Sequence, residues 1–177
     1  MHIMFKRVNI FSMDIPMIYG LYKRAFPRDE QAPFYKLVMN AGKSCVDMLS
    51  IYHSDKWSGF MYVVNKKDIS CVFYFAINED SRGSGIGSAA MQAALSMYKG
   101  RRLFLVIEPP DRCAPNAVQR FSRRNFYLHN GLKPLGAQVR EDGLIYDLLG
   151  TGSVTAGEYM SIMEGFFGKN VDAFYLG

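Results

Sequence analysis

Residues 71–99, CVFYFAINEDSRGSGIGSAAMQAALSMYK, carry the reading on which the fold turns. The run at 71–77 is apolar and rich in the aromatic and β-branched types that suit a pleated strand. Further on, Ile86, Ala90, Ala93 and Met97 recur on one face of a helix. Between the two lies Arg82-Gly83-Ser84-Gly85-Ile86-Gly87-Ser88, a glycine-rich turn opening that helix. The first N–H groups of a helix have no internal partner, and the dipole places partial positive charge there. Glycines at 83, 85 and 87 remove Cβ atoms, so a phosphate can come close to the backbone. Arg82 adds a full charge with several donors. The turn therefore predicts a phosphorylated ligand.

Three phosphate-binding turns look alike here. A P-loop needs Gly-Lys followed by Ser or Thr, and Gly87-Ser88-Ala89 has no lysine. A dinucleotide turn, G-x-G-x-x-G, fits residues 83–88 apart from its last position, and Glu108 stands where a ribose-binding acid is expected. The third pattern, R-x-x-G-x-G, is met in full by Arg82, Gly85 and Gly87. The rest of the chain has to choose.

Residues 4–11 read as a strand. A helix follows with Asp14 as its cap, Pro16 in its first turn and Ile18, Leu21, Tyr22 and Ala25 on one face. A second helix is expected over 32–40. Strand candidates follow at 44–53, 59–65 and 69–77. The short connection Asn65-Lys66-Lys67-Asp68 permits only an antiparallel hairpin. The glycine turn thus follows an antiparallel meander, whereas a dinucleotide fingerprint follows the first strand of a parallel sheet. The apolar run 103–107 predicts a buried strand, parallel to 71–77 through a right-handed crossover, and Pro109-Pro110 stops it. A helix over about 116–130 has Val118, Phe121 and Leu128 as core candidates. Runs 133–140 and 144–149 flank the turn Glu141-Asp142-Gly143. Residues 151–157 read as a connector and 158–177 as a short apolar helix and tail.

Asn125-Phe126-Tyr127-Leu128-His129-Asn130-Gly131-Leu132 gives a second motif, F-Y-x-x-x-G-L. With Arg82, Gly85 and Gly87 some 40 residues upstream, and a helix and a strand between, the chain resembles the GNAT superfamily of acyl-CoA N-acyltransferases. The resemblance covers about residues 59–149, and Leu132 replaces a usual phenylalanine. It implies a mixed α/β sheet of about seven strands, mostly antiparallel, with helices on both faces and a parallel pair splayed between the fourth and fifth strands. Acetyl-CoA would lie in the gap as co-substrate, without a metal. Its pyrophosphate would rest on Gly83, Ser84, Gly85, Ile86, Gly87 and Ser88 with Arg82 assisting, and its pantetheine arm on Phe75, Ala76 and Ile77. Arg123, beside Arg124 in the paired-arginine pattern of a subgroup, joins the cofactor set. Tyr127 matches the family's general acid for the departing thiolate, against a tyrosine that merely packs there. Glu108 is the candidate base for the attacking amine, against a carboxylate held by Arg112 or Arg123. The reaction implied is direct acetyl transfer to a primary amine, of a small molecule or a peptide. A non-catalytic acyl-CoA sensor on the same fold, and a nicotinamide-dependent oxidoreductase built on the glycine turn, are the alternatives.

At 177 residues, with 49% hydrophobic and 21% charged side chains, the chain suits one globular domain. Residues 150–177 would be a tail, packing on that domain or on a second subunit as a homodimer. No apolar run reaches the ~20 residues that span a bilayer. The opening MHIMFKR lacks a signal-peptide core, and the three cysteines, an odd number without metal spacing, suit a reducing cytoplasm. A net charge of +5 favours a polyphosphorylated ligand but is too diffuse for nucleic acid. Asp29 and Glu30 could meet a cationic substrate, although a solvated loop suits them as well. His53 and His129 are isolated from metal-ligating partners.

Overall fold

The computed structural model describes residues 1–28, 30–141, 143–167 and 172–175, the last four and Phe167 as backbone only. These fall into two compact units, Met1–Asn65 with Val72–Met97, and Lys66–Cys71 with Tyr98–Gly177.

The first unit holds β1 (Ile3–Arg7), α1 (Ile15–Ala25), α2 (Phe34–Asn40), β2 (Val46–His53), β3 (Lys56–Lys66), most of β4 (Ile69–Ile77), a single 3₁₀ turn and α3 (Ile86–Met97). β1 pairs with β2 and β2 with β3, both antiparallel, and β4 lies next to β3. Ser54 and Asp55 both have positive φ, 48° and 61°, which closes the two-residue β2–β3 hairpin in the sense of the strand twist. Lys67, at φ 49°, turns β3 into β4. Ile18, Leu21 and Tyr22 of α1 are buried at the expected helical spacing. Asp14, however, makes no capping hydrogen bond. Its carboxylate accepts the Tyr52 hydroxyl at 2.7 Å instead, so a strand side chain outcompetes the helix end. On α3 the buried residues are Ile86, Ala90, Met91 and Ala94, while Met97 is exposed, so the buried stripe runs a little off the one read from the sequence.

The second unit contains the start of β4, β5 (Arg102–Ile107), α4 (Ala117–His129), β6 (Lys133–Glu141), β7 (Leu144–Gly150), α5 (Ala156–Phe167) and β8 (Asp172–Tyr175). Ile69, Ser70 and Cys71 pair in parallel with Arg102, Leu103 and Phe104. β5 pairs antiparallel with β7, β7 with β6, and β6 with β8. The expected mixed, GNAT-like α/β architecture with one parallel pair is therefore present, and β8 adds an eighth strand that the sequence reading left as tail. Asp142, in the β6–β7 turn, lies outside the described residues, as do the side chains of Phe167, Phe174 and Tyr175.

Two features of this unit differ from expectation. α5 begins at Ala156, two residues before the predicted start, because Thr155 and Glu158 form a capping box. Thr155 Oγ1 accepts the Glu158 N–H at 3.2 Å, and the Glu158 carboxylate accepts the Thr155 N–H at 2.9 Å. Glu158 also pairs with Arg102 at 2.7 Å, and Arg102 in turn pairs with Asp68 at 2.8 Å. Secondly, Val118, Phe121 and Leu128 of α4 are exposed, not core. Arg120 and Arg124 on that helix are the better-covered residues, because carboxylates of the same unit draw them in. Among the described residues no helix is long and apolar enough to cross a membrane.

Candidate active site

In the first unit the end of β4 runs into the glycine turn. Phe75 and Ile77 are half-buried and alternate with the buried Ala76. The strand's end is fastened by the Asn78 N–H, which donates to the Ser58 carbonyl at 2.8 Å. Beside it, Gly59 of β3 comes so close that an added Cβ would sit 2.2 Å from the Ala76 carbonyl oxygen.

The turn itself is built as the sequence predicts. Glu79–Ser81 form the 3₁₀ turn, Arg82 is extended, and Gly83 and Gly85 have φ of 73° and 81°, a region that disfavours side chains. Ser84 Oγ donates to the Ser81 carbonyl at 2.8 Å and tightens the loop. Arg82 through Gly85 are exposed, and Ile86 is buried as the foot of α3. The first backbone bond of α3 runs from the Ala89 N–H to the Gly85 carbonyl at 3.0 Å. Gly87 and Ser88 therefore stand in its first turn, which carries no acidic residue. Arg82 Nε donates to the Ile77 carbonyl at 3.0 Å, so the guanidinium is fixed to the last residue of β4. Phe75, Ala76 and Ile77 thus lead through a short turn into residues 82–88, and the Arg82 side chain ties the two stretches together.

In the second unit, Glu108 directly follows β5 and faces α4. Its carboxylate pairs with Arg120 at 2.6 Å and with Arg123, and it accepts the Asn116 side-chain amide at 3.1 Å. Arg120 takes the place that the sequence gave to Arg112. Arg124, one residue on, pairs with Asp147 at 2.8 Å, whose other oxygen accepts Gln138 at 2.8 Å. Tyr127 follows Arg123 by one helical turn and stacks edge-on against Phe126, ring centroids 5.1 Å apart. Burial pushes its phenol up to about 12, against the opposing pull of the Arg123 charge. Glu108, Arg123 and Tyr127, three residues named separately from the sequence, are therefore electrostatically linked in this unit. The Arg120 and Asn116 partners of Glu108 were missed, although Asn116 and Arg120 stand at i and i+4 on α4, a spacing that pairs side chains.

The other sequence candidates have local partners or lie outside the described residues. Asp29 is outside the described residues. Glu30 serves the fold through its carbonyl, which accepts the Tyr74 hydroxyl at 2.9 Å. His129 Nδ1 is 2.7 Å from the Asn125 carbonyl in its own helix, and His53 ends β2 opposite Lys56.

A family model described as "Acetyltransferase (GNAT) family" matches residues 15–121. A GNAT-family structure from Bacteroides thetaiotaomicron is similar with a TM-score of 0.71 at 17% identity, over 92% of this chain and 98% of that one. The ribosomal-protein-S18-alanine N-acetyltransferase of Escherichia coli gives 0.63 at 18% identity, over 89% and 97%. A GNAT acetyltransferase of Elizabethkingia anophelis, with acetyl-CoA bound, gives 0.59 at 12% identity, over 84% and 96%. No curated protein matches by sequence.

Proposed function

The chain belongs to the GNAT acetyltransferase family, and from that premise we propose that it transfers an acetyl group from acetyl-CoA to a primary amine. The observation that carries this reading is the glycine turn. Positive φ at Gly83 and Gly85, open space around Gly83 where a Cβ would stand, and a helix start free of acidic residues suit a diphosphate. The antiparallel meander ahead of the turn speaks against the nicotinamide alternative.

Each residue then has a physical task. Backbone amides of residues 83–88 hold the pyrophosphate, and the Arg82 guanidinium, anchored on Ile77, adds charge. The backbone of Phe75, Ala76 and Ile77 offers strand-type hydrogen bonds to the amides of the pantetheine arm, and an N–H there stabilises charge building on the thioester oxygen. The neutral amine forms the new C–N bond while the C–S bond breaks and its electron pair leaves on sulfur. The surplus ammonium proton passes to water and the thiolate takes up one in exchange. A model thiol titrates near ~8.5, well below the Tyr127 phenol. Tyr127 therefore acts chiefly by donating a hydrogen bond to the sulfur as its charge develops. Glu108, with guanidinium groups on both oxygens, is better placed to hold Arg123 beside Tyr127 than to accept a proton.

Thiol release across an amine panel tests the activity, with thermal shift reporting on the cofactor. Acetyl-CoA at a hundred times its Kd should stabilise the protein by about 2.7 kcal/mol, and NADPH should not. Tyr127→Phe should lower kcat on the order of a hundredfold while keeping that stabilisation. Stabilisation by acetyl-CoA without turnover of any amine would favour a sensor.

A further inference from the structure

An open cavity of about 880 Å³ lies in the first unit between α1, α2 and the loop that joins them. Its aromatic wall is Tyr19 packed at a tilt against Phe34, centroids 5.1 Å apart, with Tyr22 at 5.5 Å from Phe34 and Tyr35 also in the lining. Tyr19 is 47% exposed and Tyr35 62%, far more than a packing role in the core requires. Among the described residues the charged side chains that line it are Lys23 and Arg28, both cationic. Lys23 Nζ is already engaged with Gln31 at 2.6 Å, whereas Arg28 is exposed and makes no ion pair among the described residues.

The cavity is coupled to the strand proposed to carry the acyl arm. Its floor, Tyr22, packs edge-on against Tyr74, centroids 4.9 Å apart. Tyr74 immediately precedes Phe75 on β4, and its hydroxyl both donates to the Glu30 carbonyl and accepts the Ala32 N–H at 3.1 Å. Tyr22 donates to the Ala32 carbonyl at 2.9 Å. Two buried phenols therefore hold the cavity's loop at a fixed height over β4.

We infer that this cavity receives the acceptor, and that the acceptor is a small aromatic amine bearing a carboxylate. The ring lies against Tyr19 and Phe34 in an offset or edge-on stack. The carboxylate meets the planar fork of Arg28, a match of geometry as well as charge. Among the described residues the lining presents two cations to a polyamine or aminoglycoside, a repulsive placement. The inference rests on the acetyl-transfer reading, with the same bond exchange: the amine nitrogen gains the acetyl group, the thiol of CoA is released, and the displaced proton goes to water.

The test compares 4-(aminomethyl)benzoate, L-phenylalanine, benzylamine and spermidine as acceptors, with acetyl-CoA binding followed separately by thermal shift. At least one of the two carboxylate-bearing amines should exceed benzylamine in kcat/KM by about tenfold or more, and spermidine should rank last. Arg28→Ala should cost the preferred acid about tenfold or more in kcat/KM and cost benzylamine far less, so that the preference for the carboxylate disappears. Tyr19→Ala should weaken all three aromatic acceptors without altering stabilisation by acetyl-CoA. Preference for spermidine, or no gain from the carboxylate, in protein that acetyl-CoA stabilises and that turns over another amine, overturns the inference alone. Failure of acetyl-CoA to stabilise the protein overturns the acetyl-transfer reading and this one with it.

Discussion

Glu108 shows how much a single residue's role depends on its neighbours. From its place after β5 it could have been a base, since a carboxylate there is well sited to take a proton. The ion pairs to Arg120 and Arg123 are what support the anchoring role proposed for it. Removing its charge leaves two guanidiniums facing each other in a partly covered site. Glu108→Gln should therefore cost on the order of 1–2 kcal/mol of stability, read from a urea midpoint. The shape of the pH profile of kcat/KM should stay as in the parent protein, because an anchor does not titrate in the reaction. Loss of the acidic limb of that profile would restore Glu108 as the base.

At the scale of elements, β3 comes very near the proposed cofactor strand β4 at Gly59. A Cβ on Gly59 would stand 2.2 Å from the Ala76 carbonyl oxygen and 3.0 Å from the Ile77 Cα. Both are backbone atoms, so no side-chain rotation relieves the clash and the strands must separate. Gly59→Ala should lose about 1–3 kcal/mol and raise the KM for acetyl-CoA more than it lowers kcat, since Ala76 and Ile77 belong to the proposed cofactor strand. An unchanged KM would show that the exact position of β4 does not matter for binding. α4 teaches the converse lesson. Apolar spacing suggested a core face through Val118, Phe121 and Leu128, but Glu108 and Asp147 attract the arginines and leave those apolar residues outside. The T-x-x-E box at Thr155 and Glu158 was legible in the sequence and would have corrected the start of α5.

Across the whole molecule the buried phenols set the alkaline limit. Burial raises Tyr22, Tyr62 and Tyr159 above their ordinary value, and Tyr127 to about 12. In the unfolded chain these groups lose protons near ~10, while the folded chain keeps them. The unfolded state then binds fewer protons, so stability is full below that pH and falls as pH rises toward the folded values. Each such tyrosine contributes up to about 1.4 kcal/mol per pH unit in that window. Chemical denaturation at pH 9, 10 and 11 should show little loss up to 10 and a steep loss beyond it. A flat response to pH 11 would mean that the phenols are not sequestered.

What the sequence determined by itself is the strand, glycine turn and helix at 71–97, because that geometry is local. Positive φ at Gly83 and Gly85 and a bare helix start are demands that a handful of adjacent residues meet or fail. The same holds for the hairpins and for the spacing of the two motifs that carry the family resemblance. The tertiary structure alone decided the partners of Glu108, the inward turn of the α4 arginines and the hold of Tyr74 on a loop 42 residues away. Those outcomes rest on charges and hydroxyls that only the folded chain brings within hydrogen-bonding reach, and no periodicity along the sequence encodes which of several arginines, or which carbonyl, will be there.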